Sequence, residues 1–130
     1  MTPDIAQQFE ASAEVIRQTG EQMASSLLEA ADLIVSALRA GGRVFTFGNG
    51  GSAADAQHIA AEFVGRFKRD RQAFAAESLT TDTSAMTAIA NDFGFDTIFA
   101  RQLEGKGRAG DVAIGISTSG NSPNVLAGLA

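Results

Sequence analysis

Cysteine is absent from the 130 residues, so neither a disulfide framework nor thiol chemistry is available, which fits a reducing compartment. Tryptophan and tyrosine are also missing, and His58 is the only histidine. Zinc takes about four donors, or three plus water, so these residues do not make a complete soft-ligand metal site by themselves. No apolar run reaches membrane-spanning length, and the N-terminus lacks the charged, apolar and small-residue order of a signal peptide. A soluble, cytoplasmic protein without membrane partners is expected. Basic residues are sparse: 10 Lys and Arg stand against 15 Asp and Glu, a net charge of −5. With no basic stripe to release counterions, a nucleic acid is not expected as a partner. The one basic cluster, Arg66, Lys68, Arg69 and Arg71, reads as a solvated helix end or linker that could help to attract an anion.

What is present is concentrated between Arg43 and Phe67. Val44 to Phe47 reads as a buried strand, Gly48-Asn49-Gly50-Gly51 as a tight turn, and Ser52 as the opening of a helix. Glycine gives the turn positive φ and lets backbone approach a ligand with no Cβ in the way. Ser52 and Asp55 form an S-x-x-D capping pattern. The free N–H groups and positive dipole end of such a helix suit a phosphate or another anion. At about 100° per residue, Ala56, Ile59, Ala60, Phe63 and Phe67 share one stripe, expected to face a sheet. Asp55, His58, Glu62 and Arg66 share another. An exposed i,i+4 pair is the simple reading of His58 and Glu62, worth a few tenths of a kcal/mol. Their position beside an anion-binding turn favours a functional one. Arg66 reads as a structural ion pair rather than a phosphate contact.

The chain is expected to be one domain, residues 1–130. Thr2-Pro3-Asp4 starts a first helix that runs to Gly20, and a second spans about Glu21 to Ala40 with Gly41-Gly42 as its stop. The first is expected to lie against another subunit or to cover the sheet. Ala73 to Leu79 reads as a second strand, followed by a polar loop in which Thr83 or Ser84 caps a helix that Asn91-Asp92 breaks. A further helix runs from about Phe95 to Leu103, and Asp111 to Ser117 is a third strand whose apolar run suits burial on both faces. Ser117 to Asn124 (S-T-S-G-N-S-P-N) is a second special turn, with Ser122 placed as an N-cap and Pro123 as a first helical residue. It suits an anion, or equally a hydroxyl-rich turn that satisfies its own backbone. Strand–helix–strand order implies an α/β fold, a three-layer α/β/α sandwich on a parallel sheet with right-handed crossovers, for which a flavodoxin-like order 2-1-3 is expected. Ligands of such sheets bind where strand order reverses, beyond the carboxyl ends of the strands, so both turns should open on one crevice. Asn124 to Ala130 opens a helix that stops after about two turns, and the unpaired edge expected of the third strand suggests a C-terminally incomplete domain.

Three blocks, G-N-G-G-S-A-A-D-A-Q-H-x-A-A-E-x-V-G-R-F, L-T-T-D-T-S-A-x-T-A-I-x-N-D-F-G-F-D and G-D-V-x-I-G-I-S-T-S-G-N-S-P-N-V-L-A, in that order, resemble the phosphoheptose isomerase family of the sugar isomerase (SIS) fold. The resemblance covers nearly the whole chain. It implies a cytoplasmic homotetramer that converts sedoheptulose 7-phosphate to D-glycero-D-manno-heptose 7-phosphate, toward lipopolysaccharide inner-core or other heptoses. Carried over by residue, it places Asn49, Gly50, Gly51 and Ser52 on the substrate, Asn91 and Asp92 on sugar hydroxyls, and Ser117, Thr118, Ser119 and Ser122 on the phosphate. His58 and Glu62 match two zinc ligands, Glu62 also matches the catalytic base, and a glutamine and a histidine would complete the zinc site from a C-terminal segment this chain lacks. Without the resemblance, Asn91-Asp92 is only a helix end. Aldose–ketose isomerisation through an enediol needs a base over two carbons, a group that polarises the carbonyl, and a phosphate anchor. Two other classes compete: a non-catalytic SIS module that binds a protein, as the DNA-replication initiator-associating protein does, and a sugar-phosphate sensor. A carboxylate at Glu62 favours the enzyme.

Overall fold

The computed structural model describes residues 4–130. Thr2 and Pro3 of the expected helix start lie outside them, but Asp4 acts as a cap, its carboxylate accepting from the Gln7 N–H at 3.3 Å. The chain divides into two units, one ending at Leu33 and one spanning Ile34–Ala130.

Instead of two N-terminal helices there is one, α1, Ile5–Arg39. Gly20 does not end it. An interior glycine costs only about 1 kcal/mol relative to alanine, and Arg17 bridges Glu14 and Glu21 across that turn at 2.6 Å each. The Arg17 guanidinium, with the Gln18 amide second, holds the Glu14 carboxyl below its ordinary range. Every residue from Asp4 to Leu33 is exposed, including Phe9, Ile16 and Leu27.

In the second unit, β1 (Val44–Gly48) is the central strand and is buried throughout. It pairs in parallel with β2 (Ala76–Ser78) and β3 (Val112–Ile116), giving the order β2-β1-β3. α2 (Gly51–Val64) covers one face, where Thr46 donates its hydroxyl proton to the Ala56 carbonyl at 2.7 Å. α3 (Thr83–Phe93) and a short 3-10 turn lead into α4 (Ile98–Lys106), and α5 (Pro123–Leu129) follows β3. α4 and α5 cover the other face, where Phe45 and Phe47 pack with Leu79, Ile98, Phe99 and Val125. The Phe47 and Phe99 rings stand 5.0 Å apart, tilted, as aromatic pairs prefer.

β3 is not buried on both faces: Ala113 is exposed and the rest half-buried, because the strand lies at the sheet edge. β2 is shorter than its apolar run, although hydrogen bonds from Val44 N–H to Ala75 O and from Leu79 N–H to Thr46 O extend its pairing. Asp82, not Thr83 or Ser84, caps α3 by accepting from the Ala85 N–H at 2.9 Å. Asn91 and Asp92 lie inside α3, which ends instead at Gly94, where φ is +91°. Among the described residues no helix is long and apolar enough to cross a membrane.

Candidate functional site

The register of β1 with β3 decides where the two special turns go. Gly48 stands opposite Ile116, so Asn49–Gly51 and Ser117–Ser122 leave the sheet side by side at its carboxyl end. The first turn is wound tightly. A Cβ on Gly48 would meet the Ile116 carbonyl oxygen at 2.7 Å and the Ser52 Cβ at 2.8 Å, so only glycine allows strand and helix to close. Gly50, at φ +56° and ψ −120°, takes the N-cap position in a conformation foreign to L side chains.

The expected capping box therefore does not form. Ser52 sits one residue inside α2, is buried, and makes no side-chain cap bond. Its N–H donates to the Asn49 carbonyl at 3.0 Å, and that of Ala53 to Gly50 at 3.1 Å. The N–H groups of Gly50 and Gly51 find no acceptor among the described residues and remain available to an anion.

The second turn gathers hydroxyls. Ser117 Oγ lies 2.9 Å from Ser122 Oγ and 3.4 Å from Ser119 Oγ, and Ser119 Oγ accepts from the Asn121 N–H at 3.2 Å. Gly120 makes the reversal at φ +68°. Ser122 has the extended N-cap backbone and Pro123 the first helical position, as expected, but the Ser122 hydroxyl turns to Ser117 rather than to the helix. Thr118 is exposed beside them.

A link that sequence reasoning missed joins the turns. Asn49 and Asn124 exchange reciprocal side-chain hydrogen bonds, each 2.8 Å, and Asn124 is 2% exposed. No local pattern marks this pair, since its members are 75 residues apart.

The remaining candidates stand elsewhere. His58 Nε2 and Glu62 Oε1 are 3.2 Å apart on α2. Glu62 Oε2 is buried without a hydrogen-bond partner. With Ile59, Phe63, Phe67 and Arg71 they line a cleft of about 390 Å³. Ten residues of helix separate Ser52 from Glu62, roughly 15 Å along the axis, so the carboxylate is not beside the turn. Of the stripe expected to face the sheet, Ala56 and Ala60 are buried, Ile59 and Phe63 half-buried, and Phe67 lies exposed past the helix end. Asn91 Nδ2 donates to Asp92 Oδ1 at 2.7 Å on the exposed end of α3, and no hydrogen bond ties either side chain to the two turns.

Arg71, expected in a solvated run, is half-buried. Its guanidinium donates to the carbonyls of Glu62 (2.6 Å), Phe63 (2.9 Å), Gln72 (2.9 Å) and Gly65 (3.4 Å), closing the carboxyl end of α2, and stacks over the Phe74 ring. Arg66 forms no ion pair among the described residues, because α2 ends before it and leaves it in solvent.

A parallel α/β sheet whose two glycine- and serine-rich turns meet at the strand-order reversal defines the class of open α/β folds with a ligand crevice beyond the carboxyl ends of the strands. Residues 7–130 match the SIS domain family, and the chain belongs to it. It is 58% identical over 121 residues to the phosphoheptose isomerase of Aquifex aeolicus, covering 93% of this chain and 63% of that protein. It is 53% identical over 125 residues to that of Roseiflexus, covering 96% and 64%. The structure of phosphoheptose isomerase from Neisseria gonorrhoeae superposes with a TM-score of 0.89 at 46% identity, covering 96% of this chain and 65% of that one. The chain thus spans slightly under two thirds of the length of these relatives.

Proposed function

We propose that the protein is an aldose–ketose isomerase acting on a phosphorylated heptose, converting sedoheptulose 7-phosphate to D-glycero-D-manno-heptose 7-phosphate. The observation that carries this reading is the adjacency of the two turns, sealed by Asn49 and Asn124. Relatives named phosphoheptose isomerase at more than half identity support the substrate class.

In this reading the hydroxyls of Ser117, Thr118, Ser119 and Ser122 hold the phosphate, a placement supported by the clustering of the three serine hydroxyls before α5. The N–H groups of Gly50 and Gly51, with Asn49 and Ser52 at the same turn, hold the sugar, and Asn91 and Asp92 meet its hydroxyls. Glu62 takes the proton from one carbon and returns it to the next. An oxygen without a partner is free to accept that proton.

A phosphorylated heptose extends only roughly 10 Å with bonds of about 1.5 Å, less than the span from Ser52 to Glu62. A homotetramer answers this, because a neighbouring copy can present its Glu62 to the sugar. The exposed apolar side chains of α1, among them Phe9, Ile16 and Leu27, supply a surface for such assembly.

Zinc fits the described residues only in part. His58 and Glu62 offer two donors on one helix face, and no group of three or more His, Cys, Asp or Glu side chains suited to a metal occurs among the described residues. They would be two of its ligands, with further donors from outside these residues, and the proton transfer above does not depend on it. The cytoplasm is the proposed compartment.

The test is a coupled assay of heptose 7-phosphate formation with the parent and Glu62→Gln. The variant should bind sugar phosphate with near-parent affinity and lose at least a hundredfold in kcat, the ordinary worth of a positioned base being about 10²–10⁴. Full turnover by Glu62→Gln would remove it from the proton transfer. Sugar-phosphate binding without turnover by the parent would favour the sensor reading.

A further inference from the structure

Asn124 stands on the first turn of α5, almost wholly buried, and its amide is spent on Asn49 across the crevice. A primary amide carries two donors and an acceptor, and the pair uses one N–H and the oxygen of each partner. Hydrocarbon of similar size would fill this place with less desolvation. The amide instead fixes the orientation of Asn49.

That orientation matters on both sides of the crevice. The Asn49 carbonyl accepts the Ser52 N–H, so holding Asn49 also holds the peptide around which the first turn of α2 is wound. Asn124 follows directly on Ser122 and Pro123, whose ring locks φ. The main chain between Ser122 and Asn124 is therefore a stiff segment with little slack.

We propose that Asn124 is a positioning residue that makes no contact with the ligand and couples the two turns: an anion held by Ser117, Ser119 and Ser122 sets Asn49 and, through it, the free N–H groups of Gly50 and Gly51. The inference rests on the proposed function in placing an anion on Ser117, Ser119 and Ser122 and in naming a sugar phosphate as the molecule that spans both turns.

The test is nuclear magnetic resonance on the ¹⁵N-labelled full chain, titrated first with inorganic phosphate and then with sedoheptulose 7-phosphate. In the parent, phosphate should shift the amide signals of Ser119 and Ser122 together with those of Gly50, Gly51 and the Asn49 side chain. In Asn124→Leu, phosphate should still bind within about twofold of the parent while the response at Gly50 and Gly51 disappears. The dissociation constant for sedoheptulose 7-phosphate should rise about tenfold, as expected for the loss of two ordinary hydrogen bonds. Asn124→Asp keeps the shape and one acceptor but cannot donate to Asn49 Oδ1, and its relay should be weaker than the parent's; it serves if the leucine variant does not fold. A purely structural role would lower the melting temperature and leave the relay intact.

Equal responses at Gly50 and Gly51 in the parent and a folded variant overturn the proposal, as does a parent in which phosphate shifts one turn only or binds to neither. A parent that relays the shift without turning over heptose phosphate refutes the isomerase reading and leaves the coupling standing. Turnover without relay does the reverse.

Discussion

Replacing Gly48 by alanine puts the closure of the crevice directly to the test. The added Cβ would lie 2.7 Å from the Ile116 carbonyl oxygen, 2.8 Å from the Ser52 Cβ and 3.0 Å from the Ser52 carbonyl oxygen. Two of these three atoms are backbone, and they belong to the ends of β3 and α2, so no side-chain rotation relieves the clash. Either the third strand or the first turn of α2 must move, and each carries half of the site. Overpacking a tight site costs about 1–3 kcal/mol, and with backbone on both sides the upper figure applies. For a chain of this size that lowers the melting temperature by about 10 °C. Gly51→Ala is the matched control: a Cβ there meets nothing within 4 Å and φ is not positive. Its stability should stay within about 0.5 kcal/mol of the parent, while its methyl group, set beside the free N–H of the turn, weakens phosphate binding. The assay is calorimetry on both variants, followed by phosphate titration. If Gly48→Ala melts within about 2 °C of the parent, or the two variants melt alike, the close approach is not what holds the turns together.

Ser122→Ala should reduce affinity for inorganic phosphate about tenfold, one hydrogen bond to a charged group being worth about 1.5 kcal/mol or more. Calorimetry should show little stability change, because its hydroxyl does not cap α5. Arg71→Met should destabilise the fold by about 2–3 kcal/mol in urea titration, since it strands the carbonyls of Glu62, Phe63 and Gln72. Unchanged stability would show that water satisfies those carbonyls equally well. Acid should loosen α1 near Gly20. Arg17 holds Glu14 below its ordinary range, so this contribution to helix stability is complete above the ordinary glutamate value and is lost as pH falls through the lowered native one. Circular dichroism of the parent and Glu14→Gln across that window should differ only above it.

Both special turns were legible as sequence, because glycine, serine and proline act through local backbone geometry. The turn before Gly51 and the Ser122-Pro123 helix start need no distant contact to be recognised. The parallel sheet was legible too, from alternating strands and helices and the handedness of their crossovers, and the flavodoxin-like order 2-1-3 is the one observed. Helix ends were read less well. Gly20 looked like a stop, and Asn91-Asp92 like a break, because propensity is weak beside the hydrogen bonds a running helix already has. Ser52 looked like a cap, but the clash at Gly48 shows how closely strand and helix approach, and that approach moves the cap to Gly50.

The chain's own order of residues determined which segments form the two turns, and even where on the strands they would lie. Only tertiary structure decided that Asn49 is held by Asn124, that Arg71 closes α2 rather than facing solvent, and that Glu62 stands far along its helix from the turn. The reason is physical: a turn is shaped by neighbours a few residues away, whereas a buried amide pair, a carbonyl clamp and the reach of a helix depend on groups that meet only once the chain has folded.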